Sequence, residues 1–231
     1  MLDKFHYKQV MLGILGGMGP ITSAQFVRTI YQLCDEEDEH YMPRIRLVSE
    51  PDIPDRSTCL KASSTTQMEI RIASLLEMLE PSVDRLLICC FTAHVVVPLL
   101  SDPVRSKLVN LVAYSDQLLN QLNEKTLFVA TEGVYQSEIF PLARYPNLVT
   151  LESDDLRSVH HLIYNHLKTR HDYAYVQGQL AILQDKYGCR QIFGGCTEMH
   201  LLKTWDRSEL AIVDPLYEIA LEFTRHKSFD Q

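Results

Sequence analysis

Val10-Met11-Leu12-Gly13-Ile14-Leu15-Gly16-Gly17-Met18-Gly19-Pro20 is the stretch that decides the fold. Its first half is apolar without polar alternation, the mark of a strand buried on both faces. The glycines that follow read as a tight turn. Helical periodicity then runs over residues 22–33. A strand passing through a glycine turn into a helix is the opening of an α/β unit, and the alternation recurs along the chain. Further strands are expected at 45–48, 83–90, 127–130, 191–194 and 211–213. Residues 67–79 form an amphipathic helix with Met68, Ile70, Ile72, Leu75, Leu76 and Leu79 on its apolar side, and Pro81 lies just past it. Residues 156–167 and 174–187 read as helices, and Asp214-Pro215 opens the last one with proline in its first turn. Residues 50–58, punctuated by Pro51 and Pro54, read as a loop, and Thr131-Glu132-Gly133 as a turn. The fold class is therefore α/β with mostly parallel sheets. In such folds ligands bind beyond the carboxyl ends of strands. That rule selects the turns after Leu15, Cys89 and Gly194.

The chain has 231 residues, 46% of them hydrophobic, enough for one large core or two lobes of roughly 100 residues each. No apolar run approaches the roughly 20 residues that span a bilayer. Residues 1–10 lack the apolar segment of a secretory signal. A cytoplasmic protein without membrane association is expected. The formal net charge is −8 and lysines and arginines form no stripe, which argues against nucleic-acid binding. The acidic run 35–39 reads as a solvated helix end or loop. A few local cations can still reverse the potential inside a cleft, so an anionic substrate stays open. The six cysteines show no CxxC spacing, and neither a disulfide framework nor a structural zinc site is expected.

Two cysteines stand in matching surroundings. Leu86-Leu87-Ile88-Cys89-Cys90-Phe91-Thr92-Ala93-His94 and Gln191-Ile192-Phe193-Gly194-Gly195-Cys196-Thr197-Glu198-Met199-His200 each run from an apolar strand to a cysteine, then to a helix start. Each places histidine four residues after the cysteine. Cys90 and Cys196 are 106 positions apart, close to half the chain. The pattern is a weak internal repeat and suggests two lobes that each offer one thiol to a shared cleft. A helix start supplies free N–H groups and the positive end of the helix dipole, which favour thiolate. Two thiols across one carbon could remove a proton from one face and return one to the other. Two inert buried cysteines remain the plainer reading of the pattern alone.

Gly13-Ile14-Leu15-Gly16-Gly17-Met18-Gly19-Pro20, Cys90-x-Thr92-Ala93-His94 and Gly195-Cys196-Thr197-Glu198 resemble the signature segments of the aspartate/glutamate racemase superfamily, in its aspartate racemase branch. Asp52-Ile53-Pro54-Asp55-Arg56-Ser57 is similar to that branch's substrate loop. Ala130-Thr131-Glu132-Gly133 resembles its second-lobe threonine turn. The resemblance implies two similar α/β lobes related by a pseudo-twofold axis, with the active site between them. The first lobe would comprise residues 1–112 plus 210–231, and the second 113–209. It also implies an amino-acid racemase acting on aspartate or glutamate without pyridoxal phosphate or metal, and a homodimer. Cys90 and Cys196 would be the acid and base. Met18, Gly19, Phe91, Thr92, Thr131, Thr197 and Glu198 would meet the substrate, and Arg56 and Lys168 would hold its side-chain carboxylate.

Two positions depart from the branch: Phe91 stands where it has Asn, and Val134 where it has Thr. Each replaces a polar group with an apolar one, which puts substrate identity and activity in question. The competing readings are a same-fold lyase or cis–trans isomerase of small dicarboxylates, and a weakly active or non-catalytic amino-acid-binding homologue. Gly16-Gly17-x-Gly19 lacks the full dinucleotide fingerprint. His94 and His200 could pair with the cysteines on zinc, but a local hydrogen bond is the commoner role. The histidines at 160, 161, 166 and 171 read as a solvated face.

Overall fold

The structure, a computed structural model, describes residues 10–36 and 38–226. The reading of the leader segment concerns residues that, except for Val10, lie outside this range, as does Glu37 of the acidic run. Strands β1 (Met11–Gly16), β2 (Arg44–Ser49), β3 (Arg85–Ile88) and β4 (Leu108–Val109) form one parallel sheet in the order β2-β1-β3-β4. Strands β5 (Thr126–Val129), β6 (Leu148–Val149), β7 (Gln191–Gly194) and β8 (Ile212–Val213) form a second, in the order β6-β5-β7-β8. The second order is the first displaced by four strands. Cys89 N–H donates to Leu15 O and Gly195 N–H to Val129 O, both at 2.9 Å, so the residue before each motif cysteine ties to the neighbouring central strand in the same way. The internal repeat is thus a repeat of topology.

Helices cover the sheets because parallel strands cannot leave either face wet. They are α1 (Pro20–Leu33), α2 (Arg56–Lys61), α3 (Thr66–Leu79), α4 (Asp102–Lys107), α5 (Leu111–Asn120), α6 (Glu132–Ser137), α7 (Ser153–Leu162), α8 (Tyr173–Tyr187), α9 (Met199–Lys203) and α10 (Pro215–His226). Edge strand β2 has no buried residue, and its Arg44 and Arg46 are exposed. β8, read above with the first lobe, hydrogen-bonds to β7 and closes the second sheet. Only α10 returns to the first lobe, packing on α1 as well as α5. A short apolar run carries no mark of which sheet it will join. Among the described residues, no helix is long and apolar enough to cross a membrane.

One aromatic cluster lies behind both cysteine turns. Phe91 packs on Phe140, Phe140 on Phe128 and Phe128 on Phe193, with ring centroids 5.5–6.0 Å apart, and such pairs add about 1 kcal/mol each beyond burial. Phe128 also explains Gly195, because a Cβ there would meet the Phe128 ring edge. Gly17 has φ +91°, and a Cβ on it would strike the backbone of Glu50.

Candidate active site

A small cleft between the sheets is lined by Met18, Arg56, Ser57, Cys90, Phe91 and Thr92 from the first lobe. From the second it is lined by Thr131, Val134, Tyr164, Lys168, Cys196, Thr197 and Glu198. The candidates named from sequence come together there, with one exception. Gly19 backs the cleft instead, since a Cβ on it would sit 2.8 Å from Glu198 Oε1. Ser57 and Tyr164 line the cleft but were not expected as substrate contacts, and Val134 lines it at the position where the resemblance puts a polar threonine. Apart from Tyr164 and Lys168, the lining residues are at most 8% exposed.

Arg56 reaches the cleft because Asp55 caps α2, its side chain accepting from Thr58 N–H. The loop expected at 50–58 therefore ends in a helix start at Arg56. Two carbonyls, Ile53 O at 3.2 Å and Pro54 O at 3.3 Å, accept from Nη1, and Met18 O at 3.0 Å accepts from Nη2. Of the five guanidinium donors, Nε–H is left buried without a hydrogen-bond partner. Burial opposes the Arg56 charge, but neighbouring Cys90 and Asp55 outweigh it and raise the pKa.

Cys196 is set differently. Its Sγ donates to Glu198 Oε2 at 2.7 Å. Burial, then the Glu198 carboxylate, hold its thiol well above the ordinary range, with Lys168 opposing them. The lowered pKa expected at a helix start does not arise at Cys196. The helix that follows has five residues, too few for its dipole to overcome a buried carboxylate in contact. After Cys90 the chain forms a 3₁₀ helix, Thr92–Leu99, in place of an α-helix. Lys168 Nζ lies 3.7 Å from Glu198 Oε1. Burial works to lower the lysine's pKa, but Glu198 and Cys196 push it up instead. Glu198 Oε1 is buried and accepts no hydrogen bond.

The two histidines have local partners. His94 Nδ1 lies 2.8 Å from Cys90 O, and Nε2 accepts from Leu111 N–H at 3.2 Å, so Nδ1 carries the proton. His200 Nδ1 lies 2.5 Å from Asp214 Oδ2, and its Nε2 lies 2.9 Å from Thr29 Oγ1. Both bridge a cysteine turn to the start of the helix that follows the fourth strand of a sheet. With their ring nitrogens so engaged, neither is disposed to bind zinc beside its cysteine. Burial lowers His94 to about 4 from an ordinary 6.5, against the opposing bonds to Cys90 and Phe91. Between those values the unfolded chain binds a proton that the folded chain does not. Stability is thus full above pH 6.5 and falls as pH drops, levelling below about 4, with a loss of roughly 3 kcal/mol. Urea midpoints of the wild type and His94→Gln across pH 7 to 4 check this. The variant should lose less over that window, and parallel curves would clear His94 of responsibility.

Comparison with solved structures bears on the fold. The chain is 21% identical to Picrophilus torridus aspartate racemase, with TM-score 0.76 and 94% of each chain covered. An aspartate racemase homologue from Pyrococcus horikoshii is 14% identical, with TM-score 0.63 over 93% of this chain and 99% of that one. Allantoin racemase from Klebsiella pneumoniae is 11% identical, with TM-score 0.57 over 94% and 88%. At these identities the likeness is one of fold. Residues 15–221, which include the whole cleft and all of both sheets except the first four residues of β1, match the family described as Asp/Glu/Hydantoin racemase, and the chain belongs to that family.

Proposed function

We propose that the chain is a racemase of small amino acids, aspartate or glutamate first, that needs neither pyridoxal phosphate nor metal. The observation that carries the reading is one cleft holding a free thiol from the corresponding end of each sheet, with Arg56, Lys168 and Glu198 beside them. In one direction the Cys90 thiolate takes the α-proton and the Cys196 thiol gives its proton to the opposite face. Cys90 leaves as thiol and Cys196 as thiolate, and the reverse reaction exchanges the roles. Lys168 and the open Nε edge of Arg56 meet the distal carboxylate, and Oε1 of Glu198 accepts from the α-ammonium. Hydroxyls of Thr92, Thr131 and Thr197, with the Met18 turn, receive the α-carboxylate, where negative charge grows as the α-proton departs. A homodimer, carried over from the resemblance, belongs to the same proposal.

Phe91 and Val134 favour a second reading, a substrate with an apolar part. They form an apolar wall of the cleft and are each 2% exposed. One screen separates the two readings. Single enantiomers of acidic, neutral and aromatic amino acids are incubated in deuterium oxide, and both enantiomers are read by chiral chromatography and mass. The product enantiomer should carry deuterium first while the early substrate pool stays protonated. Equal early labelling of both points to one freely exchanging base, and no conversion of any amino acid defeats the racemase reading.

A further inference from the structure

Tyr164 connects the two halves of the cleft. Its hydroxyl, on the second lobe, lies 2.7 Å from Asp55 Oδ2 and 3.1 Å from Ser57 Oγ, both at the start of α2 on the first. On the ring, Lys168 Nζ sits 4.2 Å from the centroid, within cation–π range. His160 stacks on the same ring at 4.3 Å and 25°. The backbone is shaped for this arrangement. Helix α7 runs into a π-turn, Ile163–Leu167, where Lys168 N–H donates to Ile163 O, and π-turns mark functional positions in helices.

The cleft is shut. Its thiols are each 7% exposed, and α2 lies against α6 so closely that a Cβ on Gly133 would collide with Ser57. A substrate must part these elements to enter. Arg56 and Lys168, like charges on opposite lobes, both line this shut cleft. We propose that Tyr164 couples closure of residues 55–61 to the seating of Lys168, so that the two cations converge on the substrate only when the cleft is shut. Its hydroxyl senses the docked loop, and its ring fixes the ammonium beside Glu198. Tyr164 is a positioning residue in this scheme.

The kinetic arm of the test rests on the racemase reading, and the exchange arm does not. Hydrogen–deuterium exchange of the full chain is followed in peptides covering residues 55–62, with steady-state kinetics on the best substrate. Tyr164→Phe keeps the ring and removes the hydroxyl. It should speed exchange there severalfold and raise KM about tenfold with kcat within about twofold, the scale of one lost hydrogen bond to a charged partner. Tyr164→Leu and Tyr164→Met also remove the ring, and one that melts like the wild type suffices. It should lower kcat by a further tenfold or so as Lys168 loses its seat. Unchanged exchange in Tyr164→Phe overturns the latch. Kinetics of the ring-less variant equal to those of Tyr164→Phe overturn the seating of Lys168. Should the wild type racemise nothing, the exchange arm still decides the latch, and the racemase reading fails separately.

Discussion

Replacing either Cys90 or Cys196 by alanine is expected to lower interconversion of enantiomers by at least about a thousandfold, because in the proposed mechanism each direction needs one thiol as base and the other as acid. Cys34→Ala and Cys59→Ala should leave turnover near that of the wild type, since neither side chain lines the cleft. Cys89 is the informative control. It adjoins Cys90 in sequence but packs into a different core cluster, continuing just past the end of β3 the alternation of that strand's residues. Cys89→Ala should therefore cost some stability and little catalysis. Chiral assay of the purified variants checks the set, with melting curves to separate misfolding from lost chemistry. Wild-type turnover in Cys90→Ala would sink the assignment.

Arg56→Ala should reduce kcat/KM for an acidic amino acid about a hundredfold or more, and for a neutral one far less. A charge-assisted contact to a distal carboxylate is worth about 1.5–3 kcal/mol. The substitution has a second effect, because Arg56 also holds Ile53, Pro54 and Met18 carbonyls in place. Arg56→Lys keeps the charge but loses the fork that reaches those carbonyls and a carboxylate together. It should rescue stability less than it rescues charge recognition. Equal losses for acidic and neutral substrates in Arg56→Ala would show that the guanidinium serves the loop or the shared α-carboxylate instead.

The fold was legible in sequence where burial leaves a continuous mark. The strand ending at Gly16, the helix over 66–79 and the strand at 191–194 all stand within a residue or two of their expected limits. Beyond the helix start read after Cys90, residues 95–120 drew no secondary-structure reading, because a 3₁₀ helix containing Pro98, a two-residue strand and two short helices carry too little periodicity. The turn expected at 131–133 is the start of α6, which is only six residues long. Within the site, Cys90, Cys196 and their followers were legible because the chain repeats them. Tyr164 and Ser57 were not, since their meaning lies in partners more than a hundred residues away. Phe91 was expected at the cleft, and it lines the cleft while packing into the core behind it. An exchange to Asn there would cost several kcal/mol of stability, about the scale of emptying a core Phe site, whatever it did for substrate recognition.

The two sheets repeat one strand order, but the thiols they carry are not in equivalent surroundings. Arg56 stands beside Cys90, while Glu198 and Lys168 stand beside Cys196. For a racemase this lopsidedness has a strict limit. Mirror-image substrates have equal free energy, so their equilibrium ratio is unity and the two directions must share one value of kcat/KM. No arrangement of charges around either sulfur can favour one enantiomer in that ratio. What the asymmetry can do is exchange tight binding for fast turnover, making one enantiomer the slow, saturating partner and the other the fast, weakly held one.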